Sequence, residues 1–246
     1  MNKSFLKWAL MAIATVAMAA SVSAQKAELV FSGLQFVDHL KAGMIEQDVF
    51  VEKQMGSGKV FRVTKENMAQ FKNAKLFSTA DSVHHAPFDG QKVGPYEKGQ
   101  ALGMTLGDWL SGTGSASYSC NAGAGKLSAS FKNLVPNGVY TMWYAVAAGP
   151  HMGCPNCPFA TLDMPIGKAD GTQNIFRADG SGGAKFSAGF KPCLQLATGQ
   201  LVALLAIAYH SDGKTYGPGP GPMGSMAHVQ LLTILPGEGA WAVAGK

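Results

Sequence analysis

The chain has 246 residues, with 20 Lys+Arg against 15 Asp+Glu, 47% hydrophobic residues, only 14% charged residues and 31 glycines. This composition excludes a disordered tail protein, a coiled coil and a supercharged nucleic-acid binder. Its length suits one medium-sized globular domain with a small appendage.

Residues 1–24 read as a signal peptide. Lys3 and Lys7 form a short basic start, residues 8–20 (WALMAIATVAMAA) an apolar core, and Val22, Ser23 and Ala24 a small-residue cleavage site. The run falls short of the roughly 20 apolar residues that a spanning helix needs. No Cys follows it, which argues against a lipoprotein anchor. The expected mature chain begins at Gln25 and is periplasmic or secreted. Without Lys3 and Lys7 the balance is 18 Lys+Arg against 15 Asp+Glu, or +3, so part of the basic character belongs to the leader. No Lys/Arg block remains to grip phosphates, which disfavours nucleic acid. The longest later apolar run, residues 201–209, has the length of a strand, so no membrane association is expected after cleavage.

Residues 25–80 hold most of the ordinary charge and read as an α+β appendage. Residues 28–36 (ELVFSGLQF) and 48–52 (DVFVE) are predicted strands, and residues 59–63 (KVFRV) answer across the turn at 55–58 as a hairpin. Residues 64–77 (TKENMAQFKNAKLF) then change period. Thr64 is a predicted N-cap, and Met68, Phe71, Lys72 and Lys75 follow helical spacing, so one helix is expected there.

Residues 81–246 are Gly-rich and charge-poor, and read as a β-sandwich domain. Residues 105–110 (TLGDWL) predict a single helical turn. Strands are predicted at 115–120, 126–134, 139–147, 184–190, 200–210 and 228–235, with Pro236 ending the last. The turn Val135-Pro136-Asn137-Gly138 has a mechanism, because Pro fixes φ and Asn-Gly accepts positive φ. Short strands at this spacing, without intervening helices, predict a mainly β, antiparallel sandwich of fibronectin/immunoglobulin type.

The block LVPNGVYT at 134–141 resembles the strand–turn–strand of fibronectin-like sandwiches. Over residues 84–235 the chain resembles a family of secreted bacterial β-sandwich proteins of no assigned activity. The resemblance is carried by GPYEKG at 94–99, LVPNGVYT, ADG at 178–180, AYHSDGKTYGP at 208–218 and HVQL at 228–231. It implies the sandwich and export, and supplies no chemistry. The segment PHMGCPNCP at 150–158 departs from the family's pattern.

Export governs how the cysteines are read. Four cysteines in an oxidising compartment point to disulfides before metal thiolates, and they allow three pairings. Cys120 and Cys193 sit at the edges of strand-like segments, which favours Cys120–Cys193 with Cys154–Cys157. The CxxC at 154–157 also fits a redox motif, but Pro158 follows it and no βαβ pattern surrounds it. No hydrolase signature of the G-x-S-x-G or H-E-x-x-H kind occurs.

Histidine and methionine form the most suggestive constellation: His84 and His85, then His151 with Met152, then His210, Met223, Met226 and His228. Thioether and thiolate suit Cu(I), and imidazole suits Cu(II). His210 ends one predicted strand and His228 starts the next. They are the expected metal pair, with copper ahead of zinc, and His84, His85 or His151 would complete the site. The bland reading is a solvated loop and methionines filling a core. The glycines of GPGPGPMG at 217–224 alternate with prolines that lack an N–H donor, which excludes a dinucleotide cradle and leaves a stiff surface loop with Tyr216 as a contact residue. The leading expectation is an exported, non-catalytic binding protein for a transition metal. The alternatives are an extracellular carbohydrate- or protein-recognition module, with Trp109, Trp143 and Trp241 as a platform, and a CxxC or copper oxidoreductase.

Overall fold

The computed structural model describes residues 29–83, 92–148, 160–194 and 202–236. In chain order the elements are β1 (Leu29–Phe36), β2 (Glu46–Val51), β3 (Lys59–Thr64), β4 (Lys75–Thr79), β5 (Tyr96–Thr105), α1 (Leu106–Leu110), β6 (Thr113–Asn121), β7 (Ala124–Lys132), β8 (Val139–Ala148), β9 (Ala160–Pro165), β10 (Ile175–Arg177), β11 (Ala184–Phe190), β12 (Val202–His210) and β13 (Ala227–Ile234). The molecule is mainly β, as expected, and every pairing between strands is antiparallel.

Two sheets face each other. One runs β1-β6-β7-β11 and the other β10-β8-β12-β13, with β9 further along the β8 edge that carries β10. Alternation sends Leu127, Phe131 and Tyr118 inward from the first sheet to meet Tyr140, Met142, Leu205 and Ile207 from the second. Phe176 lies between Phe131 and Tyr140, with ring centroids 5.4 and 5.5 Å away. All nine residues of β12 are buried. Its Leu205 and Ile207 serve the sandwich core, while Val202, Leu204 and Ala206 join a second cluster on the outer face with Trp143 and Met44. Burial on both faces explains why this strand reads as an unbroken apolar run rather than an alternating one.

The turn at 135–138 forms as its chemistry dictates. Asn137 has φ 58°, and the Gly138 N–H donates to Val135 O at 2.9 Å. The Tyr140 hydroxyl then accepts from Val135 N at 2.9 Å and donates to Gln230 Oε1 at 2.6 Å. A tyrosine tied back to the chain a few residues upstream is the corner device of immunoglobulin-like sandwiches. The Cys120–Cys193 disulfide joins the end of β6 to the segment after β11, and the Tyr118 hydroxyl beside it accepts from Leu194 N.

β2, β3, β5 and β4 close into a small barrel. The strands are therefore not divided at residue 80. β1 belongs to the sandwich and pairs with β6, whereas β5 belongs to the barrel. Gly33, at φ 70°, lies where the β1 register slips between Phe31 and Leu34. A bulge of this kind bends a strand, and β1 runs on so that Val37 bridges to Leu232 of the opposite sheet.

The helix expected over 64–77 does not form. Met68 N does donate to Thr64 O at 3.0 Å, but the later bonds, Gln70 to Asn67, Phe71 to Met68 and Ala74 to Phe71, span only three residues. The segment is a series of turns that gives way to β4. Two causes are visible. The Asn67 side chain ties itself to Thr64 N and Arg62 O, competing with helical bonding. Pairing of β4 with β2 and β5 removes residues 75–77, leaving too few for a stable helix. The predicted single turn does form: α1 has Thr105 as N-cap, in a reciprocal capping box with Asp108.

Candidate functional site

The fold brings His210 and His228 onto neighbouring strands, but turns them to opposite faces. Tyr209 stands opposite His228, and His210 opposite Ala227. The His228 ring packs beside Tyr209, 6.2 Å between centroids, on the side of the sandwich core. There its Nδ1–H donates to Asp48 O at 2.9 Å, and Nε2 lies 3.2 Å from Ser211 Oγ. His210 projects with Thr141 and Trp143, its Nε2 2.7 Å from Thr141 Oγ1, which also accepts from Trp143 Nε1. Its Nδ1 is buried without a hydrogen-bond partner. The strand period of two, which makes residues at adjacent ends close, also denies these two imidazoles a shared metal point. Among the described residues no three His, Cys, Asp or Glu side chains are grouped to hold a metal ion. His84, His85, His151, Cys154 and Cys157 lie outside the described residues.

Both rings are kept neutral. Burial drives His210 down to about 4, with Asp212 opposing the shift and His228 adding to it. Burial also lowers His228, against the bond to Asp48.

Tyr216 braces the Pro/Gly loop. Its hydroxyl donates to Asp212 Oδ2 at 2.6 Å and its ring packs near His210, 5.9 Å between centroids. Desolvation and the bond to Asp212 push the phenol up to about 12. Gly221, at φ +88°, lies against that ring, where a Cβ would come 2.4 Å from Tyr216 Cδ2. Only glycine fits. Trp109 and Trp143 are 0% and 3% exposed, so neither offers a carbohydrate platform, and Trp241 lies outside the described residues.

Between barrel and sandwich lies a polar cluster read from sequence as ordinary surface charge. Arg62 is fully buried, with Nε 3.4 Å from Glu46 Oε2 and Nη1 3.2 Å from Asp48 Oδ1. Asp48 Oδ2 accepts from Val229 N at 3.3 Å. Gln47 links Asp38 to the Trp109 indole. The signal was available: Arg62 stands in phase with Val60, on the inward positions of an alternating strand.

A cavity opens where the turn after β1, the turns after β3 and helix α1 meet. It has a volume of about 650 Å³ and an apolar floor of Leu40, Met68, Ala69 and Leu110. Lys41, Lys65 and Lys72 stand around it. Lys41 is tied to Asp38 at 3.0 Å and donates to Leu110 O at 3.1 Å. Lys65 and Lys72 are exposed and make no salt bridge among the described residues. Sequence reading missed this groove, because its walls come from three separate segments and its lysines look like any solvated charge. The one trace was the spacing of Met68 and Lys72, taken for a helix face. No protein-family model matches the chain, and no curated protein matches it.

Proposed function

We propose that the protein is an exported, non-catalytic binding protein, and that its groove takes an apolar ligand carrying an acidic group, with a medium-chain carboxylate as the simplest case. The leader-like start and the Cys120–Cys193 disulfide support export, since such bonds persist in oxidising compartments. Among the described residues no helix is long and apolar enough to cross a membrane.

The observation that carries the ligand class is the pairing of an apolar floor with Lys65 and Lys72, which make no salt bridge among the described residues, in a cavity of about 650 Å³. Small-molecule sites span roughly 300–1,000 Å³, mostly apolar with a few polar groups that set orientation. A carboxylate head would sit near Lys65 and Lys72, and the chain would cover Leu40, Met68 and Leu110. Lysine stems add apolar wall while their ammonium heads stay in water.

The test uses residues 25–246 and dansyl-undecanoate as a fluorescent probe, displaced by dodecanoate or by uncharged dodecanol. Saturable binding is expected, with dodecanoate the better competitor and Lys65→Ala/Lys72→Ala weakening the probe about tenfold, or about 1.4 kcal/mol. Absence of saturable binding, or equal competition by dodecanol, refutes the proposal.

A further inference from the structure

The outward face of the sheet β1-β6-β7-β11 carries rows of hydroxyls bordered by lysines. In β6 and β7 the runs TGSASYS and KLSASFK place serine at every second position. Their alternate residues, among them Ala116, Tyr118, Leu127 and Phe131, are buried in the sandwich core, so the serines face away from it. Ser117 stands opposite Ser128, and Ser128 opposite Ser187, which makes one row of three hydroxyls across the sheet. In the next row Ser115 stands opposite Ser130, and Ser130 opposite Lys185. The hydroxyls pair along both rows, with Ser128 Oγ 3.3 Å from Ser187 Oγ and Ser115 Oγ 3.3 Å from Ser130 Oγ. Lys126 and Lys132 bound the patch at the two ends of β7, opposite Ser119 and Thr113.

The charge on this face has one sign. Lys126, Lys132 and Lys185 are exposed and make no salt bridge among the described residues. None of the four strands contains Asp or Glu, whereas a surface that serves only solubility intersperses both signs. A lysine on an edge strand guards against edge-to-edge pairing, and that accounts for Lys185 on β11. It does not account for Lys126 and Lys132, because β7 lies between β6 and β11. The face also lacks aromatic rings. Every Phe and Tyr of the four strands belongs to the sandwich core or packs against it.

We propose that this face is a docking surface for an acidic polysaccharide, a sugar polymer bearing carboxylates, whose chain lies along β7. Charge complementarity sets the sign of the partner. Lys126 and Lys132 stand six positions apart, about 20 Å on a strand, which one sugar acid does not bridge and a chain does. Between them Ser128 and Ser130, with Ser117 and Ser187 beside them, offer hydroxyls that both donate and accept, as the hydroxyls of a sugar do. A single-stranded nucleic acid would also meet the lysines, but it relies on aromatic rings to stack its bases, and this face has none.

The experiment titrates residues 25–246 calorimetrically with oligogalacturonate, with galacturonic acid, with neutral dextran and with oligothymidylate. Oligogalacturonate should bind saturably and more weakly as salt is raised, and the single sugar acid about a hundredfold more weakly still. Lys126→Ala/Lys132→Ala/Lys185→Ala changes only exposed side chains, so it should keep the circular dichroism spectrum and lose about tenfold in affinity. Ser128→Val keeps a strand-forming residue and the net charge, and should also weaken binding. Lys65→Ala/Lys72→Ala should leave it unchanged, which separates this face from the groove. Oligothymidylate or dextran bound as tightly as oligogalacturonate, or an affinity untouched by the triple lysine variant or by Ser128→Val, overturns the assignment.

Discussion

Replacing His210 by Gln should flatten part of the acid sensitivity of this fold. In the native protein burial holds the ring neutral down to about pH 4, whereas in the unfolded chain it takes a proton near its ordinary 6.5. The folded value is the depressed one, so its contribution to stability is complete above 6.5 and is lost as pH falls towards 4. Between pH 7.5 and pH 5 the difference in proton uptake costs about 2 kcal/mol. Glutamine keeps a donor in place of Nε2 for Thr141 and removes the titration. The carboxylates held below their usual range, among them Asp108, Asp170 and Asp179, lose their contribution only at lower pH, and so leave this window clear. Urea unfolding of wild type and His210→Gln at pH 7.5 and 5.0 is the assay. At about 2 kcal/mol per molar urea, the wild-type midpoint should fall about 1 M further than that of the variant. Equal falls would show that His210 is protonated in the native protein and would refute the argument from burial.

The Cys120–Cys193 bond closes a loop with a sequence separation of 73, so Cys120→Ser/Cys193→Ser should lose about 4 kcal/mol by chain entropy; a loss below about 1 kcal/mol in denaturant titration would count against the pairing. Arg62→Met leaves Glu46 and Asp48 as buried charges without their cation, and about 3–5 kcal/mol should go. Adding Glu46→Gln and Asp48→Asn should restore more than half of that, and failure to do so would mean that shape rather than charge sets the cost.

Period-two alternation made most of the sandwich legible in sequence. KLSASFK and the two-faced VALLAIAY run both became strands near their expected bounds, because the sheet face is decided locally. Thr105 and Asp108 announced the helical turn for the same reason. What was not legible depends on distant partners. Nothing local to residues 29–36 says that they pair with β6, or that residues 96–105 close a barrel begun at Glu46. The helix signal at 64–77 lost to strand pairing and to one asparagine. For the histidines, proximity was read correctly and facing was not, since facing depends on register. The groove was the least visible, because no one of its walls is distinctive alone.

Among the described strands β1 comes first in chain order, yet Val37, the residue that follows it, exchanges its hydrogen bonds with Leu232 of β13. The barrel likewise waits for β5 before it can shut. The barrel draws only on β2 to β5 and can close while the later strands are still being made, whereas the contact after β1 must wait for β13, so the sandwich is the part that closes last.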